Sequence, residues 1–199
     1  MSIKSPVFRR LRGYSFDPSL SVQLETALVN QTTFKVKWEE LERGPIGEYV
    51  EVVDYDPASR CFYAPVDLSD SLVLAQDGLP PSESDPQFHQ QMAYAVAMTT
   101  IHNFEKALGR SALWSSRRDE SVKNRIDDEF VQRLRIYPHA MREANAYYSP
   151  LKKALLFGYF PASENSPGDH IPGGMVFTCL PHDIIAHETT HALLDGMHR

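Results

Sequence analysis

The sequence is poor in cysteine, in positive charge and in long apolar runs. Its 199 residues include 2 cysteines, and 20 lysines and arginines against 26 acidic residues give a net charge of -6. Two cysteines cannot form a disulfide scaffold, and no run reaches the roughly 18 to 20 apolar residues of a transmembrane helix. The acidic balance offers no general attraction to nucleic acid or to anionic membranes. We therefore expect neither a nucleic-acid partner nor a membrane span.

Other signals are missing as well. Neither a phosphate-binding glycine loop nor a G-x-S-x-G nucleophile elbow occurs in the sequence. The basic residues near the N-terminus are not followed by the apolar segment of about 7 to 15 residues that a secretory signal needs. This pattern predicts a cytoplasmic protein in which Cys61 and Cys179 are free, buried thiols.

The first part of the sequence divides into an expected N-terminal arm, residues 1–30, and the start of a domain over 31–199. The arm is polar and basic, and its three clustered arginines are expected to be solvated: Arg9, Arg10 and Arg12. Apolar and polar residues then alternate in short runs, which predicts half-buried strands. The expected strands, paired antiparallel, are 32–38, 49–55 and 61–66.

The second part predicts two helices. Asp85 is a suitable N-cap before Pro86, and apolar residues recur at helical spacing as far as Leu108, which Gly109 follows. A long amphipathic helix is therefore expected over 86–108. A second helix is expected over 183–195, with Gly196 as its C-cap.

The segments between these helices predict strands and loops. Residues 114–130 are dense in charge and predict a solvated loop or a short helix, and 161–174 predict a loop. Strands are expected at 130–137, 146–148 and 155–160. Because strands precede helices without a regular strand–helix alternation, the expected fold class is α+β.

The last helix contains the one motif with specific chemistry, an HExxH formed by His187, Glu188 and His191. Two histidines four residues apart lie one helical turn apart on the same face, so their imidazoles can bind one Zn²⁺ ion. Glu188 can then act as general base toward a zinc-activated water. An ordinary helix with two surface histidines is the alternative, but the helix-compatible flanks 183–186 and 192–194 favour a site.

The residues around the motif resemble the active-site helix of thermolysin-like gluzincin metallopeptidases. Four flanking positions fit that helix: Asp183, Thr190, Ala192 and Asp195. Upstream, 143–148 (EANAYY) and 155–158 (LLFG) are similar to the edge strand of that family and the glycine-bearing strand that follows it. The resemblance covers about residues 86–197.

The resemblance implies a role for individual residues. It makes His187 and His191 zinc ligands and Glu188 the general base of a zinc metalloendopeptidase. The implied substrate-binding residues are Asn145 and Ala146, which would hydrogen-bond a bound peptide backbone, and Tyr148, with Tyr147 beside it. Two carboxylates would support the site: Asp195, orienting a ligand histidine, and Asp183, which matches a calcium-binding position. The resemblance does not extend to calcium, because the partner carboxylates of that position lie further downstream in the family.

The sequence also departs from the gluzincin pattern. That pattern takes its third zinc ligand from a glutamate roughly twenty or more residues beyond HExxH, whereas these residues end at Arg199. A catalytic zinc site needs three protein ligands and a water. We therefore expect residues 31–199 to be a domain cut before the third-ligand helix. Such a piece would bind zinc weakly and be inactive or nearly so, while the full-length protein would hydrolyse peptide bonds.

No other histidine is a strong candidate for the third ligand. His198 follows His191 by seven residues, but Gly196 is expected to end the helix before it. His182 is expected at the surface or as a cap, and His170 lies in a predicted loop. A structural role is expected for the remaining histidines: His89, His102 and His139.

Two functions therefore remain open. The first is zinc-dependent hydrolysis of a peptide or protein substrate. The second is a non-catalytic module that binds peptides or serves a structural role, with an incomplete metal site. The oligomeric state does not follow from the sequence.

Overall fold

The computed structural model describes residues 6–23, 25–116 and 129–198, and it has the expected α+β composition. These residues contain a 3-10 turn, Pro18–Val22, and three α-helices: α1 Ser71–Ala75, α2 Pro86–Leu108 and α3 His182–Met197. They also contain nine strands: β1 Phe8–Tyr14, β2 Gln31–Lys37, β3 Val50–Val52, β4 Tyr55–Asp56, β5 Cys61–Phe62, β6 Leu134–Met141, β7 Ala146–Ser149, β8 Ala154–Pro161 and β9 Met175–Phe177.

The main sheet is mixed, with strand order β3-β6-β8-β7 and with β9 also paired to β8. β3, β6 and β8 are parallel, whereas β7 and β9 run antiparallel to β8. The expectation that the early strands pair only antiparallel is therefore wrong for β3. The chain leaves β3 and reaches β6 through α2, and a helical crossover of this kind returns the chain parallel.

The other early strands form two antiparallel pairs, β1–β2 and β4–β5. The strand predicted over 32–38 is confirmed as β2. The one predicted over 49–55 is split into β3 and β4, and the one predicted over 61–66 is reduced to β5.

The later strands match the prediction more closely. β7 and β8 are confirmed, while the strand predicted at 130–137 begins later, as β6. The loop or short helix predicted at 114–130 lies largely outside the described residues, since 117–128 are not described.

The long helix α2 is confirmed with the predicted bounds. The Asp85 side chain accepts a hydrogen bond from Gln87 N at 2.9 Å, and Gly109 ends the helix in the left-handed region at φ 66°. The first half of α2 is not amphipathic, however, because every residue from Phe88 to Met98 is buried. The helix packs against β1 and β2 and also against β3 and β6. It therefore forms the centre of the hydrophobic core.

Part of the predicted N-terminal arm belongs to this core. β1 pairs with β2 along its whole length, and Leu11 and Tyr14 are buried beside α2. Arg9 is only 1% exposed, and its guanidinium lies 4.4 Å from the centroid of the Trp38 ring. The expectation of a solvated Arg9 is wrong, because its long side chain stacks on an aromatic face inside the domain.

The helix α3 extends further than predicted, and Gly196 is not its C-cap. Gly196 lies inside α3, and a Cβ atom at this position would overlap the carbonyl oxygen of Leu113. The glycine is needed for close approach of the segment 111–116, not for a left-handed turn.

The two cysteines are free thiols, as predicted. Cys179 is fully buried, whereas Cys61 is half-buried, so the expected burial is wrong for Cys61. Within the described residues, no helix is both long enough and apolar enough to cross a membrane.

We predict that Gly196→Ala destabilises the fold, although alanine is the better helix former by about 1 kcal/mol. Overpacking of this kind costs about 1–3 kcal/mol, because the Leu113 backbone must move away from the new methyl group. The measurement is the free energy of unfolding in urea. Leu194→Ala, at an exposed position of the same helix, should change it by less than about 0.5 kcal/mol. Unchanged or increased stability of Gly196→Ala would contradict the close contact.

Candidate metal centre

His187 and His191 lie one turn apart on the exposed face of α3, as the motif predicts. Their Nε2 atoms are 3.0 Å apart, and their ring centroids are 4.6 Å apart with an angle of 84° between the planes. Both rings therefore present the same nitrogen to one point in space, as two imidazole ligands of a single ion would.

Glu188 lies beside the two histidines on the side of α3 that contacts β7, and it is only 8% exposed. Its Oε2 atom accepts a hydrogen bond from the backbone N–H of Tyr148 in β7 at 2.8 Å. A carboxylate oxygen of Glu188 lies within 4.8 Å of a ring nitrogen of each histidine. The base predicted from the motif is thus fixed in orientation by the strand beside it.

The donor atoms of this group fit a zinc ion. Two ligand nitrogens of a tetrahedral zinc site, each about 2.0–2.1 Å from the metal, are about 3.3 Å apart, close to the 3.0 Å that separates these two. Within the described parts of the chain, the group contains only His187, Glu188 and His191. The described residues therefore supply two histidine ligands for a zinc ion and one carboxylate beside it.

The three other histidines considered as ligands lie elsewhere. His182 stacks on Phe34 with ring centroids 5.7 Å apart, and His198 is exposed just after the end of α3. His170 lines a separate cavity together with Glu83. None of them belongs to the group on α3.

The predicted substrate-binding segment forms β7, the last strand in the order of the main sheet. Tyr148 N–H points away from β8, toward Glu188. In an antiparallel pair, residues two apart direct their backbone groups to the same side. The N–H and C=O of Ala146 therefore also point away from β8, on the side of the strand where Glu188 lies.

Asn145 lies directly before β7 and is exposed. Its carbonyl oxygen accepts hydrogen bonds from Gly158 N at 2.9 Å and from Thr178 Oγ1 at 3.1 Å. A Cβ atom at Gly158 would overlap the carbonyl oxygen of Glu143, so the glycine of the LLFG segment allows 143–145 to lie against β8. This contact fixes where the edge strand begins.

Asp195 connects α3 to β7 and to the turn that follows it. Its Oδ2 atom accepts hydrogen bonds from Tyr148 Oη at 2.7 Å and from Lys153 Nζ at 2.8 Å. Burial raises the pKa of Tyr148, and its hydrogen bond to Asp195 raises it further. Burial alone would raise the pKa of Asp195, but the hydrogen bonds from Lys153 and Tyr148 outweigh it and lower that pKa. The role of Asp195 in orienting a ligand histidine stays a prediction.

The other predicted residues have simple surroundings. Asp183 is exposed in the first turn of α3, where a negative charge is favourable and where Pro181 supplies no side-chain cap. Tyr147 is 39% exposed on β7. Sequence reasoning missed Lys153 and Thr178, because neither belongs to a recognisable motif and both contact residues distant in sequence.

We predict that Tyr148→Phe lowers the free energy of unfolding by about 1.5–3 kcal/mol, the usual contribution of a hydrogen bond to a charged group. The matched control is Tyr147→Phe, an exposed neighbour on the same strand, which should change stability by less than about 0.5 kcal/mol. Both are measured by urea unfolding. Equal effects of the two substitutions would argue against the Tyr148–Asp195 contact.

No protein-family model matches this sequence, and no curated protein matches it.

Proposed function

We propose that His187 and His191 bind zinc and that Glu188 is the general base of a metallopeptidase of the gluzincin kind. One observation carries this proposal. The two Nε2 atoms converge at 3.0 Å, and the neighbouring carboxylate is held by the backbone of an edge strand. An ordinary surface helix needs neither the convergence nor the buried glutamate.

The chemistry divides between the metal and the protein. Bound zinc would lower the pKa of a water molecule and polarise the carbonyl group of the substrate. Glu188 takes the proton from the attacking water as the new C–O bond forms, and it returns the proton to the leaving nitrogen as the C–N bond breaks. The hydrogen bond from Tyr148 N–H orients the carboxylate for both transfers.

The edge strand β7 would hold the substrate. A peptide lying along its outer side would pair with the N–H and C=O of Ala146, in the β-augmentation mode. Tyr148 on the same strand holds Glu188, so one strand would set the distance between the scissile bond and the base. Asn145, exposed beside Ala146, and the Tyr148 ring would complete this side of the groove.

A complete catalytic centre also needs a third protein ligand. Among the described residues, the group on α3 supplies two histidine ligands. The resemblance implies that the third ligand is a glutamate. The free thiols of Cys61 and Cys179 support the further proposal that the protein works in a reducing compartment such as the cytoplasm.

The test of the base is Glu188→Gln in the protein encoded by the whole reading frame that contains these residues. Glutamine can still accept the hydrogen bond from Tyr148 N–H but cannot take a proton. We expect kcat/KM for peptide hydrolysis to fall by about 10²–10⁴-fold with little change in KM. Glu164→Gln, in an exposed loop, is the matched control and should leave hydrolysis unchanged.

Two outcomes would contradict this assignment. Hydrolysis by Glu188→Gln at the wild-type rate would remove Glu188 as the base. Peptide binding without hydrolysis in the metal-loaded wild-type protein would favour a non-catalytic peptide-binding module instead.

The test of the ligands is zinc binding by the 199-residue chain. Because both rings are exposed, we expect their zinc to be lost quickly to a chelator, and His187→Ala should abolish this rapidly lost fraction. His198→Ala, at an exposed histidine just beyond α3, is the control and should retain it. A rapidly lost fraction that survives His187→Ala would show that the zinc is bound elsewhere.

A further inference from the structure

A second group of potential metal ligands lies in the core of the domain. It consists of His89 near the start of α2, His139 in β6, and Cys179 between β9 and α3. The three ligand atoms lie within 4.8 Å of one another, and the residues are 1%, 2% and 0% exposed. Three side chains with metal-binding atoms thus meet in the interior, from three different parts of the fold.

The outer nitrogens of the two imidazoles both have partners in the protein. His139 Nδ1 lies 2.6 Å from Asp54 Oδ1, and His89 Nε2 lies 3.1 Å from the carbonyl oxygen of Glu83. These contacts hold the two rings so that their other nitrogens face each other. The other oxygen of Asp54 accepts from Gln90 Nε2 at 2.8 Å, which holds the carboxylate in place.

The inner nitrogens of the two rings, His89 Nδ1 and His139 Nε2, lie 2.9 Å apart. At this separation the two rings can share a hydrogen bond, or both nitrogens can bind one metal ion, since two ligand nitrogens of a tetrahedral zinc site are about 3.3 Å apart.

The sulfur atom of Cys179 favours the metal ion. A hydrogen bond would use the two nitrogens alone, whereas a metal ion needs further donors, and Cys179 Sγ lies within 4.8 Å of a nitrogen of each ring. Two imidazoles and a thiolate are three of the four ligands of a tetrahedral zinc site. The Asp54 carboxylate behind His139 is the usual support for a metal-binding imidazole.

We infer that His89, His139 and Cys179 form a second, buried zinc site with a structural role. Binding displaces the thiol proton of Cys179 to solvent. The outer nitrogens of the two histidines keep their contacts with Asp54 and with the Glu83 carbonyl oxygen. The inference does not rest on the proposed peptidase function, because it uses none of the residues of the group on α3.

The surroundings explain what such an ion would stabilise. The Phe177 ring centroid lies 4.5 Å from that of His89 and 5.5 Å from that of His139, which closes the group from solvent. Cys179 follows Thr178, whose hydroxyl donates to the Asn145 carbonyl, and it precedes α3 by three residues. An ion bound here would tie α2 and β6 to the chain that positions both α3 and the edge strand.

The test uses cobalt, which reports a sulfur ligand through thiolate-to-metal charge transfer in the near ultraviolet. The His187→Ala/His191→Ala double variant of the chain is produced in cobalt-supplemented minimal medium, so that the buried site fills during folding. We expect about one cobalt ion per chain, a charge-transfer band, and slow loss to a chelator. Adding Cys179→Ser should remove the band, whereas Cys61→Ser, the other cysteine, should leave it unchanged.

A second measurement decides the question if Cys179→Ser fails to fold. X-ray absorption at the zinc edge of the zinc-loaded double variant should show one sulfur ligand about 2.3 Å from the zinc, besides nitrogen ligands. A folded double variant that contains no cobalt or zinc would overturn the inference and leave a hydrogen bond between the rings. Metal bound without a sulfur neighbour would overturn it as well. Neither result would bear on zinc at His187 and His191, which the double variant lacks.

Discussion

The complete burial of the first half of α2 is the constraint on which the rest of the structure depends. From Phe88 to Met98 the helix is enclosed by β1 and β2, by the main sheet and by α3. Its polar residues must therefore find partners inside the domain. Gln90 and Gln91 accept backbone N–H groups of Val66 and Leu79, each at 2.8 Å. In this way the helix fixes the loops on either side of α1 as well as the core.

The second structural theme is the connection between α3 and β7. The helix carries the histidines and the strand carries the backbone groups that would bind a peptide. Two hydrogen bonds join them: Tyr148 N–H to Glu188, and Tyr148 Oη to Asp195. Because one tyrosine supplies both donors, a shift of the strand would move Glu188 and the end of the helix together.

The two histidine groups differ in a way that suits different tasks. His187 and His191 are exposed on a helix face, where a ligand can approach and exchange. His89 and His139 are enclosed by aromatic rings, and their outer nitrogens are already occupied by Asp54 and Glu83. An accessible histidine pair beside a carboxylate suits a catalytic metal ion, whereas an enclosed histidine pair beside a thiol suits a structural metal ion.

The sequence by itself determined the features that depend on local geometry. Helical pitch alone places His187 and His191 on one face, and Asp85 with Gly109 fixes the bounds of α2. Only the tertiary structure decided the parallel pairing of β3, the position of Gly196 inside α3, and the burial of Arg9 and of the whole first half of α2. It also decided the contact of Glu188 with Tyr148 and the meeting of His89, His139 and Cys179. The contacts of Glu188 and of the His89, His139 and Cys179 group join residues 40 or more positions apart, so they follow from how the layers pack and leave no periodic signal along the chain.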